Sequence, residues 1–132
     1  LLDDFNIYGQ GWGLTNDGKS LILSDGSEKI YYINPKNFQI EKTISVSVNG
    51  NKLIYINELE FIRGEIWANI WKSNDIITVN PLSGIVTSIF DISKISEQTE
   101  IEDVANGIAW DKVNDKIFIT GKNWNFIYLL DI

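Results

Sequence analysis

Five tryptophans in 132 residues, with neither cysteine nor histidine, bound the chemistry open to this sequence. Without a thiol or an imidazole there is no Cys or Ser–His nucleophile system and no Cys/His zinc scheme. Chemistry falls to carboxylates, carboxamides, lysine amines, hydroxyls and aromatic faces. Side chains of these types stand at related positions of an internal repeat. Trp12, Asn57, Glu58 and Asn106 occupy one kind of position, and Asp25, Trp71 and Lys122 another. Gathered at one place they would offer aromatic walls, amide hydrogen bonds and charges of both signs.

The elements that must position them follow from the repeat. Three stretches superimpose, starting at Gly11, Asn57 and Asn106. The first two align without a gap at an offset of 46. The second and third start at an offset of 49 and continue at 51 after a turn two residues longer, which sets Asn80 against Asp131. Each unit reads as short strands rich in Ile, Val, Tyr, Phe, Trp and Thr, residues suited to a half-buried pleated surface. In the first unit the strands fall at Trp12–Asn16, Ser20–Ser24, Ile30–Ile33 and Gln39–Val46. Asp17-Gly18 makes the first turn, a strong hairpin signal, with Arg63-Gly64 and Asn114-Asp115 in the equivalent places. A polar, acidic stretch at Ser93–Val104 is expected to form a short helix between the second and third units.

Four-stranded antiparallel units of about 45 residues are the signature of a β-propeller, which closes with about four to eight blades. The expected fold is therefore all-β, with blade-like units at 11–56, 57–105 and 106–132 covering about two and a half blades. The chain contains no Met, so Leu1 is not expected to be a translated start, and the chain is expected to be part of a longer single domain. No run of about 18 apolar residues exists, which argues against a membrane-spanning helix. A formal net charge of -7 repels phosphate backbones and argues against nucleic acid as a partner. Gly9–Gly13 is glycine-rich but precedes a strand, not the helix a phosphate cradle needs. Asn16-Asp17-Gly18 lacks the later carboxylates of a calcium loop.

Blade geometry then says which positions meet. The innermost strand starts at one end of the channel, and the turn between the second and third strands returns to that end. Strand starts supply Gly11-Trp12, Asn57-Glu58 and Asn106-Gly107; second turns supply Asp25, Trp71 and Lys122. Each has a structural alternative. Trp12 and Trp71 can pack between blades, Asn57 and Asn106 can bond local backbone, and Lys122 can be a solvated loop lysine. Trp67 and Trp110 fall within strands and Trp124 in a turn, where packing is the expected role.

Three segments resemble the plant and bacterial type of glutaminyl cyclase. They are Asn57–Ile62 with Gly64–Trp71, Gly11–Gly18 with Ser24–Ser27, and Asn106–Asp111 with Ile117–Trp124. The resemblance covers nearly the whole chain in order. It implies a five-bladed propeller with its site at the channel mouth and no metal or other cofactor. The implied reaction cyclises the N-terminal Gln of a peptide or protein to pyroglutamate with release of ammonia. By position, Trp12 and Trp71 resemble the family's substrate-walling tryptophans, Asn57 its substrate-bonding asparagine, and Lys122 its site lysine. The family's catalytic glutamate and a site Gln belong to segments of the Gly-Glu-Gly-Leu and Phe-Thr-Gln-Gly-Leu types, which this chain does not contain. Glu58 does not match that glutamate. The resemblance thus implies the C-terminal half of a cyclase, inactive alone, partnered by its own N-terminal blades and exported from the cytoplasm. A non-catalytic propeller module holding a peptide or sugar at the Trp-rich mouth is the alternative, and two copies pairing into a ring is a third arrangement.

Overall fold

The structure, a computed structural model, describes residues 1–7, 9–96 and 104–132. Its elements run β1 (Gly13–Asn16), β2 (Leu21–Ser24), β3 (Lys29–Ile33), β4 (Ile40–Ser45), β5 (Ser47–Val48) and β6 (Asn51–Lys52). Then come β7 (Ile56–Ile62), β8 (Glu65–Ile70), β9 (Asp75–Val79), β10 (Val86–Asp91), α1 (Ser93–Ser96), β11 (Ala105–Asp111), β12 (Lys116–Gly121) and β13 (Tyr128–Leu130). Strands β1–β4 form one four-stranded antiparallel sheet, β7–β10 a second, and β11–β13 a three-stranded third. The chain is an all-β, partial propeller. Of the expected helix, Ser93–Ser96 is helical and Val104 is not; residues 97–103 lie outside the described residues. The β5–β6 hairpin is an addition to the expected elements. Its turn is Asn49-Gly50, both left-handed at φ 50° and 78°, the backbone that matches strand twist.

Left-handed backbone recurs at the repeat offsets. Gly18, Gly64 and Asp115 have positive φ at the first turn, and Gly26, Lys72 and Asn123 have it just after the second. Phe38 and Gly84 share it after Asn-Pro, where each donates its N–H to the carbonyl of the preceding Asn34 or Asn80. The repeat is thus one of backbone conformation, kept even where the residue changes from Gly to Lys, Asn or Phe.

The sheets stack face to face. Ile22, Ile30, Ile44, Ile56, Leu59, Ala68 and Val79 fill the layer between the first and second sheets. Ile62, Trp67, Ile76, Ile108, Ile117 and Ile119 fill the layer between the second and third. Because the middle sheet is covered on both sides, its central strands β8 and β9 are nearly continuous runs of buried residues. On β11 and β12 burial alternates: Ile108 and Ile119 point inward, while their neighbours Ala109 and Phe118 do not. Trp67 stacks on Phe90 at 5.1 Å, and Trp110 and Trp124 pack against the second core layer. The innermost strands β1 and β11 both pack beside β7. No helix among the described residues is long and apolar enough to cross a membrane.

Candidate functional site

A cavity of about 490 Å³ opens where the starts of β1, β7 and β11 meet the turns that follow β8 and β12, and it is lined by Trp12, Tyr55, Asn57, Trp71, Asn106 and Lys122. The structure therefore brings together Trp12, Asn57, Trp71, Asn106 and Lys122, and adds Tyr55. Asp25 and Glu58, which the repeat also sends to this end, do not line it.

A pair of bulges explains the asparagines. β7 pairs with β8 as Ile56↔Ile70 and then Leu59↔Ala68, so Asn57 and Glu58 together oppose one residue, Asn69. β11 repeats this, with Asn106 and Gly107 opposing Thr120 between Ala105↔Gly121 and Ile108↔Ile119. An extra residue in a strand re-aims the side chains beside it. Each bulge is gripped from the preceding sheet. The Ser24 hydroxyl donates to the Asn57 carbonyl at 2.6 Å and accepts the Gly13 N–H at 2.8 Å; the Asn69 Oδ1 accepts the Gly107 N–H at 3.2 Å. The contact at Gly13 is so close that a Cβ there would lie 2.1 Å from the Asn57 carbonyl oxygen, which only glycine permits.

The aromatic side is also built from turn backbone. The Trp12 and Trp71 rings meet edge to face at 5.7 Å, and Tyr55 meets Trp71 at 5.5 Å. Gly26 at φ 84° lets the Trp12 ring lie directly over the second turn, since a Cβ there would fall 2.5 Å from it. The Trp12 indole N–H donates to the Gln10 side chain at 3.1 Å. Lys72 sets its ammonium 4.5 Å from the centre of the Trp71 ring. Tyr55 is held at φ 68°, with its N–H donating to the Gly26 carbonyl and its carbonyl accepting the Trp71 N–H. The same carbonyl-to-turn bond recurs between Val104 and Lys122 at 3.0 Å, which fixes where Lys122 leaves the sheet.

Hydrogen-bonding capacity is unspent here. Asn57 is only 8% exposed, yet its carboxamide has no hydrogen-bond partner among the described residues, and neither has that of Asn106. The Lys122 ammonium makes no ion pair among the described residues. Buried polar groups are nearly always satisfied, so amides lining a cavity without partners are set to bind something else.

Glu58 turns to a separate, mostly apolar hollow with Ile108, Thr120 and Leu129. Burial, and then the neighbouring Glu60 carboxylate, raise its carboxyl above the ordinary value against backbone hydrogen bonding from Ile108 and Leu59. Asp25 lines a third hollow with Gln10 and Tyr31. Burial alone would raise its carboxyl, but hydrogen bonds from the Ser27 hydroxyl and amide and from the Tyr31 hydroxyl hold it below the ordinary value. Those bonds draw it toward β3 and away from the mouth. Tyr55 was the residue that sequence reasoning passed over; its repeat counterparts, Gly9 and Val104, share nothing with it chemically. Among the described residues no group of three or more carboxylate, His or Cys side chains could hold a metal ion.

Known proteins match both sequence and shape. The glutamine cyclotransferase family model matches residues 1–132. The glutaminyl-peptide cyclotransferase of Arabidopsis thaliana is 38% identical over 127 residues, covering 92% of this chain and 40% of that protein. The crystal structure of Myxococcus xanthus glutaminyl cyclase superposes with a TM-score of 0.86 at 33% identity, covering 95% of this chain and 58% of that one. The chain thus spans about two fifths of the length of its curated relative. By its family match and these likenesses, the chain belongs to the glutamine cyclotransferase family.

Proposed function

We propose that this chain supplies the substrate-holding side of a glutaminyl-peptide cyclotransferase site, acting on peptides and proteins that begin with Gln. The observation that carries the reading is the single cavity lined by three aromatic rings, two unpartnered carboxamides and a lysine. In the reaction the substrate's α-amine nitrogen bonds to its own side-chain amide carbon, and that carbon's bond to the amide nitrogen breaks. One proton passes from the amine to the departing nitrogen, and ammonia leaves. The five-membered lactam forms only if the flexible side chain is folded back on the amine, so positioning supplies much of the acceleration. Trp12 and Trp71 wall the side-chain methylenes and exclude water. Asn57 hydrogen-bonds the reacting amide, and Lys122 polarises or orients it.

The proton shuttle comes from elsewhere. No carboxylate lines the cavity, and the glutamate that the family resemblance calls for lies in blades preceding this chain's segment. The complete protein, on this reading, is exported and works without a metal. Ammonia release from a Gln-initiated peptide tests it, with the chain alone and with its N-terminal blades. Turnover is expected only in the second case; turnover by the chain alone overturns the division of labour. The missing carboxylate also favours one second reading, a module that holds a peptide or sugar without turning it over. A preceding blade with Gly or an apolar residue, instead of Glu, facing Trp12 and Trp71 decides for it.

A further inference from the structure

The equivalence of the two bulges carries a step beyond the cyclase reading, on which this step rests. Asn57 and Asn106 hold the same place in consecutive blades, one residue after Ile56 and Ala105, and both face one cavity. Neither carboxamide has a partner among the described residues. Their surroundings differ. Asn57 belongs to the aromatic side: its backbone carries Gly13, beside Trp12, and the Tyr55 carbonyl two residues before it takes the Trp71 N–H. Asn106 belongs to the polar side, two residues after Val104, whose carbonyl takes the Lys122 N–H. A glutaminyl residue has the same division. Its methylenes and side-chain amide suit the aromatic side, and its backbone peptide group suits an amide beside a cation.

We propose that Asn106 is a specificity residue that hydrogen-bonds the first backbone peptide group of the substrate, so that the two bulges form a pair of amide hands, Asn57 for the side chain and Asn106 for the main chain. The site then distinguishes a peptide beginning with Gln from a simple amino-amide that could undergo the same ring closure. One substrate pair isolates this contact. The Gln-initiated peptide carries the backbone carbonyl; 4-aminobutanamide is the same skeleton without it, and cyclises to pyrrolidin-2-one with release of the same ammonia.

Both are assayed with Asn106→Ala in the complete protein, chain plus N-terminal blades. The expected result is a loss in kcat/KM of about tenfold for the peptide, the worth of one well-placed hydrogen bond, with 4-aminobutanamide unchanged. Asn57→Ala lowers both substrates. Asn106→Ser, too short to reach the substrate but able to bond local backbone, repeats the selective loss and guards against a folding defect in the alanine variant. An equal loss on both substrates in the serine variant, or no loss on either, overturns the proposal while leaving the cyclase reading intact. A wild-type protein that releases no ammonia from the peptide removes both.

Discussion

The two ends of the same three sheets are finished differently. At the end away from the cavity, the hairpin turns fasten to one another. Arg63, in the turn after β7, bonds Asp115, in the turn after β11, through Nε at 2.9 Å and a second nitrogen at 2.8 Å. The Trp110 indole N–H donates to the same carboxylate at 3.0 Å. Further in, Glu60 accepts from the Thr15 hydroxyl of the first sheet and the Trp110 N–H of the third, tying all three together. At the cavity end, by contrast, the Asn57 and Asn106 amides and the Lys122 ammonium have no partner among the described residues, while left-handed non-glycine backbone occurs at both ends, at Tyr55, Lys72 and Asn123 here and at Arg63 and Asp115 there. What separates the two ends is unmet hydrogen bonding and not backbone strain. One end holds the sheets together, and the other leaves hydrogen-bonding groups open to the cavity.

The largest expected effect comes from forcing the two sheets apart at the bulge. Gly13→Val places a Cβ against the Asn57 carbonyl, the Glu58 Cα and the Leu59 nitrogen, all of them backbone that cannot step aside. A loss of about 3 kcal/mol or more in urea unfolding is expected, together with loss of any ligand binding at the cavity. An unchanged midpoint would show that the first sheet does not seat on the bulge.

Next is the substitution that should cost function without stability. Asn57→Ala removes a nearly buried amide that bonds nothing in the described residues. Its melting temperature is expected to hold or rise, while cyclisation by the complete protein falls about a hundredfold, as when a preorganised donor is deleted. A fall in melting temperature with activity retained would reassign Asn57 to the structural role, bonding its own strand.

How much of this could be read from the sequence divides along the same line. The offsets of 46 and 51 located the hairpin turns, and the left-handed residues fall on them. The burial of Ile108 beside exposed Ala109, and of Ile119 beside Phe118, follows the strand period of two. The bulges were not legible. An extra residue in a strand leaves no mark on composition, and without it Asn57 and Glu58 look equally placed at the mouth. It is the bulge that separates them, giving one to the cavity and the other to a neighbouring hollow. Asp25 was sent to the mouth by alignment, but its bonds to Ser27 and Tyr31 are particular to the first sheet. The Asn49-Gly50 turn was plain in the sequence, yet it falls in the link between units, where a repeat has nothing to match.

A smaller effect sharpens the contrast between glycines. Gly18 lies at the fastened end with open space around its missing side chain, so only its φ of 86° resists substitution. Gly18→Ala is expected to cost about 1 kcal/mol, with cavity binding untouched. Gly13 is needed for close approach and Gly18 for a turn, and the two losses should differ accordingly. Equal losses would erase the distinction.

The smallest effect is a difference of sign with pH. Asp115, bonded first by Arg63 and then by Trp110, has its carboxyl held below the ordinary value. A depressed native value means that its contribution is fully present above the ordinary carboxylate range of about pH 4 and fades as pH falls through the native value. Glu58 is shifted upward, chiefly by burial and secondarily by Glu60. Its contribution is therefore present below that range and is lost as pH rises through its native value. Asp115→Asn should weaken the protein at neutral pH, with the deficit closing on acidification. Glu58→Gln should do the reverse, strengthening it at neutral pH and losing that advantage in acid. Melting curves from pH 3 to pH 7 on the two variants and the parent read both slopes. Slopes of the same sign would show that the carboxylates at the fastened end and beside the open one are not held by opposite forces.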